Sequence, residues 1–135
     1  MEDSPTAREL VTAVREFIEE RLAPTLEGHT AFHARVAVNA LGIVERQLDQ
    51  GPGAEAREHE RLKTLLGEDA DLASLNQSLA LAIRDGRLSL DDPALIDHLR
   101  ATTVDKVMID QPRYSGLRDA LAAGLDGSGS MAGFA

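Results

Sequence analysis

Cysteine and tryptophan are both absent from the 135 residues, and the aromatic side chains are only Phe17, Phe32, Phe134 and Tyr114. Without a thiol there is no disulfide, no thiolate zinc site, no iron–sulfur cluster and no cysteine nucleophile. Scarce aromatics beside abundant Ala and Leu argue against a sandwich or barrel, whose strands draw on Val, Ile, Thr and aromatics. They favour helices that approach one another closely. Long apolar runs are missing too, and none approaches the ~20 residues needed to span a bilayer. The start Met1-Glu2-Asp3-Ser4-Pro5 is acidic, the reverse of a signal peptide's basic and then apolar order, so the expected location is cytoplasmic.

Positive charge is in deficit. Fourteen basic residues face 23 acidic ones, for a formal charge of −9, a field that repels phosphate backbones and anionic lipid. Nucleic acid and membrane are therefore not expected partners. The nearest approach to a basic patch, Arg57, Arg61 and Lys63, is interleaved with Glu55, Glu58 and Glu60 and reads as a salt-bridged, solvated helix face.

What is present is helical spacing. Leu10, Val11, Val14, Phe17, Ile18 and Leu22 recur every third or fourth position, predicting a helix from about Thr6 to Arg21. Thr6 and Glu9 form a capping box, with Ser4 before Pro5 as the alternative start, and Pro24 ends the helix or forces a turn. From Thr30 to about Leu48 the apolar arc widens to include Phe32, Ala34, Val36, Ala37, Val38, Ala40, Leu41, Ile43 and Val44. A helix apolar around most of its circumference belongs in the middle of a bundle, so this one is expected to be the most buried.

Gly51-Pro52-Gly53 reads as a break before a third helix over about 54–66, with Gly67 ending it. Leu72, Leu75, Leu79 and Ile83 predict a fourth helix from Asp69 or Asp71 to Arg84, stopped by Gly86. Arg87 to Leu90 is open to an extended reading. Asp92 before Pro93 is a strong helix start, and Leu95, Ile96, Leu99, Val107 and Met108 carry the fifth helix to about Asp110. Leu117, Leu121 and Leu125 suggest a weak sixth, followed by the flexible tail Gly127-Ser128-Gly129-Ser130.

The expected architecture is all-α: an antiparallel bundle of about five helices with short loops, residues 6–115, between a flexible start at 1–5 and a weakly helical to flexible tail at 116–135.

Catalytic motifs do not assemble. His29 and His33 are four apart but lack a third metal ligand, Glu58-His59-Glu60 points in different directions, and no Glu-x-x-His pairs, phosphate loop or Gly-x-Ser-x-Gly elbow occurs. Neither a metal nor another cofactor is called for, and enzymatic activity has no nominated nucleophile. Asp97 and His98 are sequence neighbours that do not face each other on a helix and read as solvated surface.

Six residues are ligand or interface candidates. His33, Arg35 and Asn39 place polar groups on a helix read as central, where each must be hydrogen-bonded in the core or face a cleft or interface. Asn76, in mid-helix beside leucines, suggests an interhelical hydrogen bond. Arg113 and Tyr114 follow the chain-directing Pro112 and are residue types favoured at interface hot spots, while Tyr114 folding back as a lid is the other reading.

Certain stretches also resemble a bacterial family of short helical proteins, domain of unknown function family 6285. They are Pro5-Thr6-Ala7 leading into Val14-Arg15-Glu16-Phe17, Phe32-His33-Ala34-Arg35-Val36-Ala37 with Asn39-Ala40-Leu41, Asp91-Asp92-Pro93, and Leu99-Arg100-Ala101-Thr102-Thr103 on to Asp110-Gln111-Pro112-Arg113-Tyr114. The likeness covers about residues 5–115. The resemblance implies a context, since such proteins are commonly encoded beside an aminoglycoside-phosphotransferase-like kinase and an acyl-CoA dehydrogenase.

Three functional readings follow. One is an accessory, protein-binding helical protein that partners the kinase in acyl-CoA or hydroxyacid metabolism. The second is a small-ligand binder or enzyme with a pocket around His33, Arg35 and Asn39. The third is a homo-oligomeric structural protein.

Overall fold

A computed structural model describes residues 3–125. The expected tail around Gly127-Ser128-Gly129-Ser130 lies outside the described residues. Among the described residues five α-helices follow one another: α1 Ala7–Glu16, α2 Gly28–Leu66, α3 Leu72–Arg84, α4 Pro93–Asp110 and α5 Ser115–Ala122. No strand occurs among the described residues, Arg87 to Leu90 being irregular, so the fold is all-α as its spacing predicts. No described helix is long and apolar enough to cross a membrane.

The chain divides into two compact units, Met1–Gly51 and Pro52–Ala135. In the N-terminal unit the capping box is formed: Thr6 Oγ1 accepts from the Glu9 backbone N–H at 3.2 Å, and Thr6 N–H donates to Glu9 Oε2 at 2.7 Å. That pairing holds the Glu9 carboxyl below its ordinary pKa. Past Glu16 the coil loosens into a π-helical stretch, Phe17–Leu22, then tightens to a 3₁₀ turn at Ala23–Thr25 containing Pro24. Gly28 opens α2 at φ +62°, a conformation that favours glycine.

The sequence reading places a break at Gly51-Pro52-Gly53, and the structure corrects it. Helix α2 runs through Pro52 without ending. Proline removes one N–H and crowds the preceding turn but does not forbid a helix. Here Gly51, which has no Cβ, eases the clash a proline ring makes with the residue before it. Two expected helices thus merge, and the weak sixth becomes α5.

The C-terminal unit holds the core. Leu62 of α2, Leu75 and Leu79 of α3 and Leu95 of α4 are buried together, and Leu65, Leu66, Leu72, Ile83, Leu88 and Leu99 pack around them. Asp71 caps α3 by accepting from Ser74 N–H at 2.9 Å, and Asp92 caps α4 by accepting from Ala94 N–H at 2.9 Å, with Pro93 in its first turn. Both starts match their sequence signatures.

Burial overturns one expectation. The first half of α2 is not the most buried element: in Gly28–Gln50 only Ala34 and Glu45 are buried, while Phe32, Val36, Val44 and Leu48 are exposed. Apolar spacing records which side of a helix is greasy, not whether the chain itself supplies the cover.

Candidate functional site

Within the C-terminal unit a polar ladder joins α2 to α4. Arg57 and Arg61, one turn apart, meet His98, Thr102 and Asp105, which share a face of α4 by their spacing of four and three. Arg57 Nη2 donates to Asp105 Oδ1 at 3.0 Å, Arg61 Nη2 to Thr102 Oγ1 at 3.1 Å, and Arg61 Nε to His98 Nδ1 at 3.4 Å. His98 is 3% exposed. An Nδ1 that accepts from a guanidinium favours the neutral ring. Burial first, and then the adjacent Arg61 charge, hold this imidazole below its ordinary pKa, with Glu58 opposing. Burial also lowers the Arg61 guanidinium, against the pull of Asp105 and Glu58.

Beside the ladder opens a cleft of about 620 Å³ lined by Glu60, Arg61, Thr64, Leu65, Asp92, Ala94, Asp97 and His98. The volume is of small-molecule size. Its polar groups are largely committed, however: Asp92 caps α4, Arg61 holds His98 and Thr102, and Thr64 Oγ1 donates to the Glu60 carbonyl at 3.1 Å. No nucleophile is hydrogen-bonded to a base among the cleft's described residues. No group of three or more His, Cys, Asp or Glu suited to a metal ion occurs among the described residues.

The six candidate residues scatter. His33, Arg35 and Asn39 are all exposed on α2, and none lines the cleft. Phe32 and His33 stack edge to face with centroids 5.6 Å apart. Asn76 makes the expected interhelical bond, its Nδ2 donating to Glu58 Oε1 at 2.9 Å, and also to the Leu72 carbonyl at 3.2 Å. Arg113 and Tyr114 are exposed just before α5, where the Tyr114 ring occupies the space a Cβ on Gly116 would need.

Sequence reasoning passed over Arg57, Arg61, His98 and Asp105. The salt-bridged, solvated reading holds for Lys63 with Glu60, 3.6 Å apart, and for the exposed, ion-paired Arg57, but not for the half-buried Arg61, and His98 is buried rather than surface. The signal was available in the matched registers, 57 and 61 on one segment and 98, 102 and 105 on another.

The N-terminal unit presents a different surface. Arg8 binds Asp49 of α2 at 3.0 Å, and Arg15 binds Glu45 of α2 at 2.7 Å and Glu19 at 2.8 Å, so the polar side of α1 faces α2. Leu10, Val14 and Phe17 each lie two positions beyond Arg8, Thr12 and Arg15. Two residues are about 200° of rotation, so they point away from α2. All three are exposed, Phe17 by 57%, and α1 contains no buried residue. On α2 the relation repeats, because Phe32 and Val36 stand two positions either side of buried Ala34.

No curated protein and no solved structure matches the chain. One family model does, over residues 24–114, a span that begins in the turn after α1, contains α2, α3 and α4, and ends at Tyr114. The chain belongs to the family described as a domain of unknown function, DUF6285.

Proposed function

We propose that this chain is a helical protein-interaction protein that associates through its N-terminal unit. The observation that carries the reading is the inverted packing of α1, which spends Arg8 and Arg15 on α2 and leaves Leu10, Val14 and Phe17 in water. Apolar patches of this kind mark interaction sites. The accessory role we propose, in keeping with what the resemblance implies, is beside an aminoglycoside-phosphotransferase-like kinase in acyl-CoA or hydroxyacid metabolism. The alternative pocket around His33, Arg35 and Asn39 gains no support, since these residues are exposed and apart from the cleft.

The test is a binding titration of the purified chain with an aminoglycoside-phosphotransferase-like kinase from the same source, alongside a measurement of its own association. A complex at tens of micromolar that Phe17→Glu weakens at least tenfold is expected. Absence of any association, with itself or with the kinase, would sink the reading.

A further inference from the structure

We infer that Arg61 is a pH-operated switch in the cleft wall with two seats on α4: it stands against His98 while that ring is neutral and passes to the buried Oδ2 of Asp105 once the ring is protonated. Both seats are already built. Arg61 Nε donates to His98 Nδ1 at 3.4 Å and its Nη2 to Thr102 Oγ1 at 3.1 Å. One turn further along the same face Asp105 is 8% exposed, and its Oδ1 accepts from Arg57 at 3.0 Å while its Oδ2 is buried with no hydrogen-bond partner. A buried carboxylate oxygen without a donor is costly, and a guanidinium, with five donors in a rigid fork, is the group suited to fill it. Thr102 and Asp105 are three residues apart, so about 4.5 Å along the helix axis separates the two positions. The Asp105 charge already acts on Arg61.

The drive is a change in donor count. A neutral imidazole has one nitrogen that accepts, whereas a protonated one has none, since both ring nitrogens then carry hydrogen. A guanidinium has only donors, so the contact between Arg61 and His98 cannot outlast the proton: donor meets donor and cation meets cation. The surrounding charges decide where Arg61 goes. From α2, Arg61 opposes protonation of the ring and Glu58 favours it. Glu60 of α2 and Asp97 of α4 share the cleft with the ring, and Arg57 of α2 with Asp105 of α4 closes the far end of the ladder. Glu58 already accepts from Asn76 of α3 at 2.9 Å, so the unfilled buried acceptor belongs to Asp105. Arg61 and His98 line the cleft, whereas Thr102 and Asp105 do not. The move therefore withdraws a long side chain from the cleft wall while keeping α2 tied to α4.

Nitrogen-15 NMR of the full chain follows both partners, with the Arg61 Nε–H and His98 ring signals assigned from Arg61→Lys and His98→Gln. As pH is lowered from about 7.5 to about 4.5, across the range in which imidazoles charge, the Arg61 signal is expected to shift with the same midpoint as the His98 ring. It is also expected to keep its slow exchange with water, because Arg61 has changed acceptors rather than been released. In His98→Gln the Arg61 signal is expected to stay still over that range. Asp105→Ala is expected to match the wild type at neutral pH, with unchanged helical circular dichroism, and to follow the ring on acidification. At the acid end, however, its Arg61 Nε–H exchanges with water at least tenfold faster than that of the wild type. A ring that takes up no proton before the fold is lost overturns the inference. So does an Arg61 signal indifferent to the ring's proton, or exchange at the acid end that is equal in the wild type and Asp105→Ala. Protection lost in Glu58→Gln and kept in Asp105→Ala would move the second seat to Glu58 and overturn the assignment to Asp105.

Discussion

Asp105 and Arg57 form an ion pair whose two ends live in different solvents. Their closest atoms are 3.0 Å apart, yet the Asp105 side chain is only 10% exposed while that of Arg57 is 47% exposed. The second carboxylate oxygen, Oδ2, is buried with no hydrogen-bond partner. Removing either residue breaks the same contact, but what is left behind differs.

Arg57→Ala strands a buried carboxylate, softened by the nearby charge of Arg61, and is expected to destabilise the protein by about 2 kcal/mol. Asp105→Ala leaves a guanidinium free to hydrate and removes an unsatisfied oxygen, so its cost stays below about 1 kcal/mol. Urea denaturation of the two variants gives the comparison. Equal losses, or a larger loss for Asp105→Ala, would contradict the account.

His98 ties stability to pH. Its pKa in the fold lies below the ordinary 6.5, so as pH falls through 6.5 the unfolded chain takes up a proton that the folded chain refuses. Stability is complete above 6.5, declines from there down to the lowered native value, and gains no further loss from this group below it. Each pH unit in that window is about 1.4 kcal/mol. His98→Gln, which keeps an acceptor for Arg61, is expected to shrink the difference in unfolding free energy between pH 7.5 and 5.5, with the other imidazoles common to both proteins. An unchanged difference would remove His98 as its source.

Pro52 withholds an N–H from the middle of α2 while its side chain stands exposed. Pro52→Ala restores that donor at no packing loss. The intrinsic gap of about 3 kcal/mol between Pro and Ala in a helix interior, reduced by the greater freedom of the unfolded variant, leaves a net stabilisation of about 2 kcal/mol. Thermal unfolding at constant protein concentration measures it, and a lower midpoint for the variant would refute the idea.

Local chemistry was the legible part. Thr6 with Glu9, Asp71 and Asp92-Pro93 announce helix starts because a cap involves residues two or three apart. The Leu72, Leu75, Leu79 series predicts its own burial correctly for Leu75 and Leu79. Distant pairing was hidden: Arg57 and Asp105 are 48 positions apart, so each in isolation resembles a surface charge. The identical periodicity that hides Leu79 leaves Phe17 and Val36 in water, because spacing describes a stripe and says nothing about what lies against it. Of the six candidate residues only Asn76 was placed by a definite bond, and that expectation came from the unfavourable propensity of Asn in mid-helix.

The inverted packing of α1 also has a bearing on ionic strength. A segment that encloses almost none of its own oil and is tied to α2 through Arg8–Asp49 and Arg15–Glu45 leans on contacts that dissolved ions screen. Added salt should therefore fray the chain first between Ala7 and Leu22, with amide exchange quickening there while that around Leu62, Leu75 and Leu95 stays constant.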